Sequence, residues 1–244
     1  MSKNNSKKRI LIKLSGESMK WEREFWFDYA MVDHFAKEIW EIAKTHEVAI
    51  VLWAWNIWRY SDNKDSWLDR VQSDTMWMMA TLMNANMLSE RMKKIWLDTI
   101  IYSPPAINVD TLAERYNSIK ARKSLEEWKI VFCAWWTWSP FFTTDSAAAL
   151  RAAELKCDTI LKATNVDWVY DSDPNKNLDA KKFDEISFSD VIDKWLKVMD
   201  TTAFVLSKEA WTDIFIFNMK WKWNFKKAAD WEYEIWTHVY NENN

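Results

Sequence analysis

The chain has 244 residues, of which 49% are apolar and 28% charged, with a formal charge of −3. That profile excludes a disordered chain, and it gives no reason to expect a nucleic-acid or anionic-membrane surface. One count is out of line: glycine occurs once, at Gly16, and tryptophan twenty times, where ordinary usage would give roughly 17 glycines.

Short apolar runs alternate with amphipathic stretches along the chain. Residues 1–8 read as a flexible, polar and basic tail, neither a signal peptide nor a membrane span. Residues 9–240 read as a single domain. The segment 9–14 (RILIKL) predicts a strand, and 28–44 a helix with Asp28 as N-cap. A buried strand follows at 48–52 (VAIVL), then a long Met-rich helix at 73–94 opened by Ser73 or Asp74. Next come a strand at 98–102, a helix at 110–120, a strand at 129–134 and an Ala-rich helix at 145–155 with Asp145 as its cap. A strand at 159–163 precedes a polar loop with a small hairpin over 164–185. Helices at 189–195 and 201–210, a strand at 213–218, a short helix at 225–229 and a strand at 235–239 complete the order.

Strands alternating with helices predict an α/β fold, a three-layer α/β/α sandwich with a mainly parallel central sheet. Such sheets bind ligands at the carboxyl ends of their strands. The loops after Leu14, Leu52, Ala134 and Ala163 are therefore the candidate site. Cys133 and Cys157 lack metal or CxxC spacing and read as free thiols of a reducing, cytoplasmic compartment, a disulfide between them being the alternative. His34, His46 and His238 have no metal or catalytic spacing, and no metal site is expected. The methionines Met76, Met78, Met79, Met83 and Met87 read as helix packing.

The tryptophans do not recur at helical or strand spacing. Trp96 and Trp128 fall between a helix and a strand, where a left-handed residue, usually glycine, is expected. Trp53, Trp55 and Trp58 follow one buried strand, and Trp135, Trp136 and Trp138 another. Trp168, Trp211, Trp221, Trp223 and Trp231 stand in turn-like contexts, where backbone freedom matters more than ring area. Only a few, such as Trp40 and Trp77, suit a core-facing helix position. Most or all of the twenty thus stand where a parent sequence had glycine. A Trp-rich base-stacking protein is the competing reading, but it needs a coherent aromatic surface.

Read with glycine at those positions, the loops become phosphate cradles. They are Lys13-Leu14-Ser15-Gly16-Glu17, the segment 52–59, the segment 134–147 (AWWTWSPFFTTDSA), and 162–170 (KATNVDWVY) with Asp171, Asp173 and Pro174 beyond. A lysine at a strand end beside a Ser-Gly turn brings an ammonium and backbone N–H groups to phosphate oxygens. Together with the late LKVMD at 196–200, and over about residues 8–239, this set resembles the amino-acid-kinase family, and within it the bacterial uridylate kinases. The resemblance implies a nucleoside monophosphate kinase that transfers the ATP γ-phosphate to UMP, with Mg²⁺ accompanying ATP. It implies a catalytic role for Lys13 and Asp145. It implies ATP contacts from Lys13, Leu14, Ser15, Gly16, Trp55, Arg59, Thr164, Asn165, Tyr170 and Asp173. It implies UMP contacts from Ala54, Asp74 and the run Thr137, Trp138, Ser139, Pro140, Phe141, Phe142, Thr143 and Thr144. It further implies a cytoplasmic homohexamer with GTP and UTP as candidate effectors. A carboxylate or carbamate kinase of the same fold and an inactive scaffold remain alternatives. The departures from the family fall on Trp53, Trp55, Trp135, Trp136 and Trp138, where an indole at Trp55 or Trp138 is expected to occupy nucleotide space.

Overall fold

The computed structural model describes residues 8–15, 19–20, 26–58, 67–105, 107, 109–134, 137–164, 169–172, 177, 179–194, 196, 199–219, 224–232 and 236–242. In chain order its elements are β1 (Arg9–Leu14), α1 (Tyr29–Ala43), β2 (Glu47–Leu52), α2 (Arg70–Lys93), β3 (Thr99–Ser103), β4 (Glu114–Arg115) and α3 (Ser118–Glu126). Then come β5 (Ile130–Cys133), α4 (Thr144–Leu155), β6 (Thr159–Thr164), β7 (Val169–Tyr170), β8 (Lys182–Phe183) and β9 (Glu185–Ser187). The last are α5 (Phe188–Asp193), α6 (Thr201–Glu209), β10 (Asp213–Asn218), α7 (Asn224–Ala229) and β11 (Trp236–Tyr240).

Nine strands form one sheet in the order β4-β3-β5-β2-β1-β6-β10-β11-β9, while β7 and β8 make the small antiparallel hairpin predicted for the polar loop. Every pairing in the large sheet is parallel except β10 with β11. The central strands are near-continuous apolar runs because both faces are covered. Ile10, Leu11, Ile12, Ala49, Ile50, Val51, Phe132, Ile160 and Phe215 are all buried. Helices α1, α2 and α7 pack together on one face, and α3, α4 and α6 on the other. The carboxyl ends of β1, β2, β5 and β6 thus open side by side at one edge.

Capping explains where the helices begin. Asp28 caps α1, as its spacing predicts, by accepting from the Ala30 and Met31 N–H groups. The long helix starts earlier than expected, because Asp69 accepts from Val71 and Gln72 and caps α2. Asp74 consequently lies inside the helix and is fully buried. Thr143, not Asp145, caps α4 by accepting from the Asp145 and Ser146 N–H groups. The helix expected over 110–120 is displaced. Asn117 is an N-cap, so α3 begins only at Ser118, and the preceding residues form a turn and the short β4. The methionine expectation also needs correction. Met78 is buried, but Met76, Met79 and Met83 are 41%, 52% and 44% exposed and form a stripe along α2.

Six tryptophans, Trp26, Trp96, Trp128, Trp138, Trp211 and Trp231, have φ between 55° and 78°. Phe141 and Lys156 are the other positive-φ residues among those described. Trp96, Trp128, Trp211 and Trp231 share one geometry with Lys156. Each donates to the carbonyl three residues back, and the following residue donates to the carbonyl five back. This double closure is the left-handed helix ending that favours glycine. The expectation for Trp96 and Trp128 therefore holds, and the same ending recurs at Trp211 and Trp231. Trp58 differs. It lies half-buried against the core, and its indole Nε1 donates to Ser73 Oγ at 3.0 Å.

Candidate active site

The site is built on two lysines set side by side. Lys13 of β1 lies in register with Lys162 of β6, so both side chains leave the same face of the sheet. Asp145, in the first turn of α4, meets them both: Lys162 Nζ donates to Oδ2 at 2.6 Å, and Lys13 Nζ lies 3.1 Å from Oδ1. The side chains of Lys13, Lys162 and Asp145 are only 4%, 7% and 16% exposed. Burial pushes the Asp145 carboxyl up, but Lys13 and then Lys162 outweigh it and hold the group at about 2. Burial pulls the Lys162 ammonium down to about 8, against the opposing pull of Asp145. Around neutral pH the trio carries two positive charges and one negative, a net cationic floor.

That floor opens into a cleft of about 330 Å³, also lined by Trp53, Trp55, Arg70, Trp77, Thr144 and Asp200. Thr144 is 3% exposed, and its Oγ1 has no hydrogen-bond partner among the described residues. A buried hydroxyl without a partner is costly unless a ligand completes it. Thr143 and Ser146 both donate through their hydroxyls to Asp200, which also accepts from the Ala203 N–H and so joins the start of α4 to the start of α6. Arg70 Nε donates to Asp74 Oδ1 at 2.7 Å, and the Phe141 N–H donates to Asp74 Oδ2 at 2.9 Å. Asp74 therefore ties α2 to the loop between β5 and α4.

Two buried asparagines shape the loop after β2. Asn56 and Asn84 exchange amide hydrogen bonds at 3.0 and 2.9 Å, and Asn84 also donates to the Trp53 carbonyl at 2.7 Å. Ala54 is buried, and its carbonyl accepts from Ile57 and Trp58. The turn is thus fixed, but its two indoles project into the cleft. Trp53 and Trp55 meet in a tilted contact, 48° between planes and 4.0 Å between centroids, and the Lys13 ammonium stands 4.6 Å from the Trp53 ring. Trp55 thus lines the cleft. Trp138 behaves otherwise, because its ring turns away from the cleft to pack on Tyr116, with the Arg151 guanidinium 4.4 Å from it.

Of the residues expected at the site, the structure brings Lys13, Trp55, Phe142, Thr143, Thr144 and Asp145 to the cleft. Leu14 and Ser15 are buried beside it at the end of β1. Thr137 and Ser139 bond to one another in the loop between β5 and α4, with Pro140 half-buried and Phe141 exposed beyond them. Thr164 ends β6, and Tyr170 lies in the hairpin, which the Val169 N–H ties to Thr237. Gly16, Arg59, Asn165 and Asp173 lie outside the described residues. Sequence reasoning missed Lys162, Arg70, Asn84 and Asp200 as site residues. The available signal for Lys162 was a charge in the middle of an otherwise apolar buried strand.

The profile described as the Amino acid kinase family matches residues 8–218. A uridylate kinase of Streptococcus thermophilus is 41% identical over 237 residues, 96% of each chain, and one of Rickettsia prowazekii is 41% identical over 222 residues, 91% of each. The crystal structure of UMP kinase from Ureaplasma parvum superposes with a TM-score of 0.91 at 35% identity, covering 96% of this chain and 99% of that one. On the profile match, the near-full-length relatives and the shared fold, the chain belongs to the amino acid kinase family, among its uridylate kinases.

Proposed function

We propose that the chain transfers the γ-phosphoryl group of ATP to UMP, forming UDP and ADP, within one domain spanning residues 9–240. A phosphate oxygen of UMP forms the new bond to the γ-phosphorus, and the bond to the β–γ bridging oxygen breaks, leaving ADP. Such transfers depend on positioning and charge neutralisation more than on covalent help. The Lys13–Asp145–Lys162 trio carries the reading, because it offers two fixed ammonium groups where negative charge passes from one nucleotide to the other. Asp145 orients both lysines and keeps them apart. Thr144 supplies a hydroxyl donor to the acceptor phosphate, and the buried Asp74 holds Arg70 and the Phe141 N–H in place beside the UMP ribose. Thr164 and Tyr170 flank the ATP side, and ATP contacts are assigned to Asn165 and Asp173 by the family resemblance alone.

Mg²⁺ fits as a passenger on ATP. Among the described residues no cluster of three or more His, Cys, Asp or Glu side chains forms a metal cage. Asp145 is engaged by two lysines, and Asp200 by two hydroxyls and an N–H. Magnesium held mainly by substrate phosphates and water suits that donor set, and the ion would add charge neutralisation there.

A homohexamer, with GTP and UTP as effectors, belongs to the same reading. The stripe of Met76, Met79 and Met83 supports self-association, since adaptable apolar side chains favour buried contacts. No helix of the described residues is long and apolar enough to cross a membrane, and we assign the chain to the cytoplasm. The base-stacking alternative is weakened by dispersal: most of the left-handed tryptophans sit at separate helix ends. The test is UDP formation from ATP and UMP with UMP, CMP and a carboxylate acceptor compared, in a chain carrying glycine at residues 53, 55, 135, 136 and 138. Transfer to UMP alone is expected, and preference for a carboxylate acceptor would overturn the assignment.

A further inference from the structure

We propose that the polypeptide made in the cell of origin carries glycine at Trp53, Trp55 and the six left-handed tryptophans, one codon being read there as glycine, whereas Trp58 is a true tryptophan. The proposal concerns what the cell makes and does not depend on which phosphate acceptor is used.

The backbone supplies the first argument. Six of the eight described non-glycine residues with positive φ are the same residue type, and tryptophan has no conformational reason to prefer that region. The side chains supply the second. Trp96 is 94% exposed, so its indole gains nothing from burial to offset its strained backbone. Trp53 buries an indole N–H that has no acceptor among the described residues, and its ring lies beside Lys13 in the cleft. Trp58 is the internal contrast. Like Trp53 it follows β2 and packs on the core, but its N–H is satisfied by Ser73 Oγ. The polar edge of its indole is satisfied, whereas Trp96 is left in solvent and Trp53 leaves a buried N–H unmet.

Uniformity supplies the third argument. Independent mutation of glycines would leave an assortment of replacements, not one residue across four helix ends and a phosphate loop. A single cause acting on all of them at once is the reading of a codon. UGA has the required property: it is read as tryptophan in some decoding systems, and it differs from the glycine codon GGA only at the first base. A glycine tRNA able to pair with UGA converts every such position together, while tryptophans spelled UGG stay as they are.

Tryptic peptide 45–59, bounded by Lys44 and Arg59, contains Trp53, Trp55 and Trp58 and so sets two proposed glycines beside the proposed tryptophan. Its sequence is to be read by fragment mass spectrometry in protein isolated from the cell of origin, alongside peptide 130–151 with Trp135, Trp136 and Trp138. The expected result is glycine at 53, 55 and 138 and tryptophan at 58, with UGA in the gene at the first three and UGG at the last. Tryptophan at 53, 55 or 138, or UGG in the gene there, would overturn the proposal. Glycine at 58 would overturn the argument from indole use. Neither readout requires enzymatic activity, so failure here is separable from failure of the kinase assignment.

Discussion

Replacing Trp96 by glycine removes a large side chain and should nevertheless stabilise the protein. Trp96 closes α2 at φ 67° with its ring 94% exposed. The left-handed conformation costs a non-glycine residue roughly 1–2 kcal/mol, and no buried area is lost in return. W96G should therefore raise the free energy of unfolding by about 1 kcal/mol, after allowing for the greater chain entropy of glycine in the unfolded state. The control is Trp40, which lies in the interior of α1, with the Lys44 ammonium 3.5 Å from its ring. There W40G should destabilise by about 1 kcal/mol, the ordinary cost of glycine inside a helix. Urea unfolding followed by far-UV circular dichroism reads both, provided the slope against denaturant is unchanged. Equal destabilisation by W96G and W40G would refute the reasoning. Applied to all six left-handed tryptophans, the strain sums to about 6–12 kcal/mol, comparable to a whole-domain stability of about 5–15 kcal/mol.

Other consequences concern the site and the core. D145N should leave two buried lysines without their counter-charge and cost about 3–5 kcal/mol of stability, measured by urea unfolding at neutral pH; a loss below about 1 kcal/mol would place the trio at an exposed surface. Because the folded Asp145 carboxyl is held at about 2, below its ordinary 3.8, its stabilising contribution is complete above pH 3.8 and disappears as pH falls toward 2. D145N should flatten that part of the acid unfolding profile relative to the parent chain. Since the Lys162 ammonium sits near 8, ATP affinity in the glycine-bearing chain should fall as pH rises through about 8, and a flat calorimetric profile up to pH 10 would contradict that. Cys133 and Cys157 are buried, and burial pushes the Cys133 thiol up to about 12 and the Cys157 thiol up as well. Neither should react with a thiol reagent until the protein unfolds, and rapid labelling of the folded chain would show the core to be open.

Much of the fold was legible because the central strands are uninterrupted apolar runs and the intervening helices have regular periodicity. Asp28 was readable as a cap from position alone. The start of α2 was not, because Asp69, Ser73 and Asp74 are all competent caps, and only the backbone geometry selects Asp69. The segment 110–120 looked helical by periodicity, but the Asn117 side chain caps a helix that starts eight residues later, at Ser118. In the site, Lys13 and Asp145 were visible through their motifs. Lys162 was not singled out, because its place beside Lys13 depends on strand register: β1 and β6 are distant in sequence, and only the sheet sets the two lysines side by side. Asn84 and Asp200 act across elements in the same way. The direction of an indole is likewise a packing outcome, which is why Trp55 enters the cleft and Trp138 does not.

The central claim is that a phosphoryl-transfer site stands intact beneath the tryptophans that fill it. The most direct measurement is the rate of UDP formation from ATP and UMP by two purified chains, one as written and one with glycine at residues 53, 55, 135, 136 and 138. The glycine-bearing chain should turn over at about 1–100 per second, the ordinary range for kinases, and the chain as written should be slower by orders of magnitude. Turnover in that range by the chain as written, or a folded but inactive glycine-bearing chain, would contradict the account.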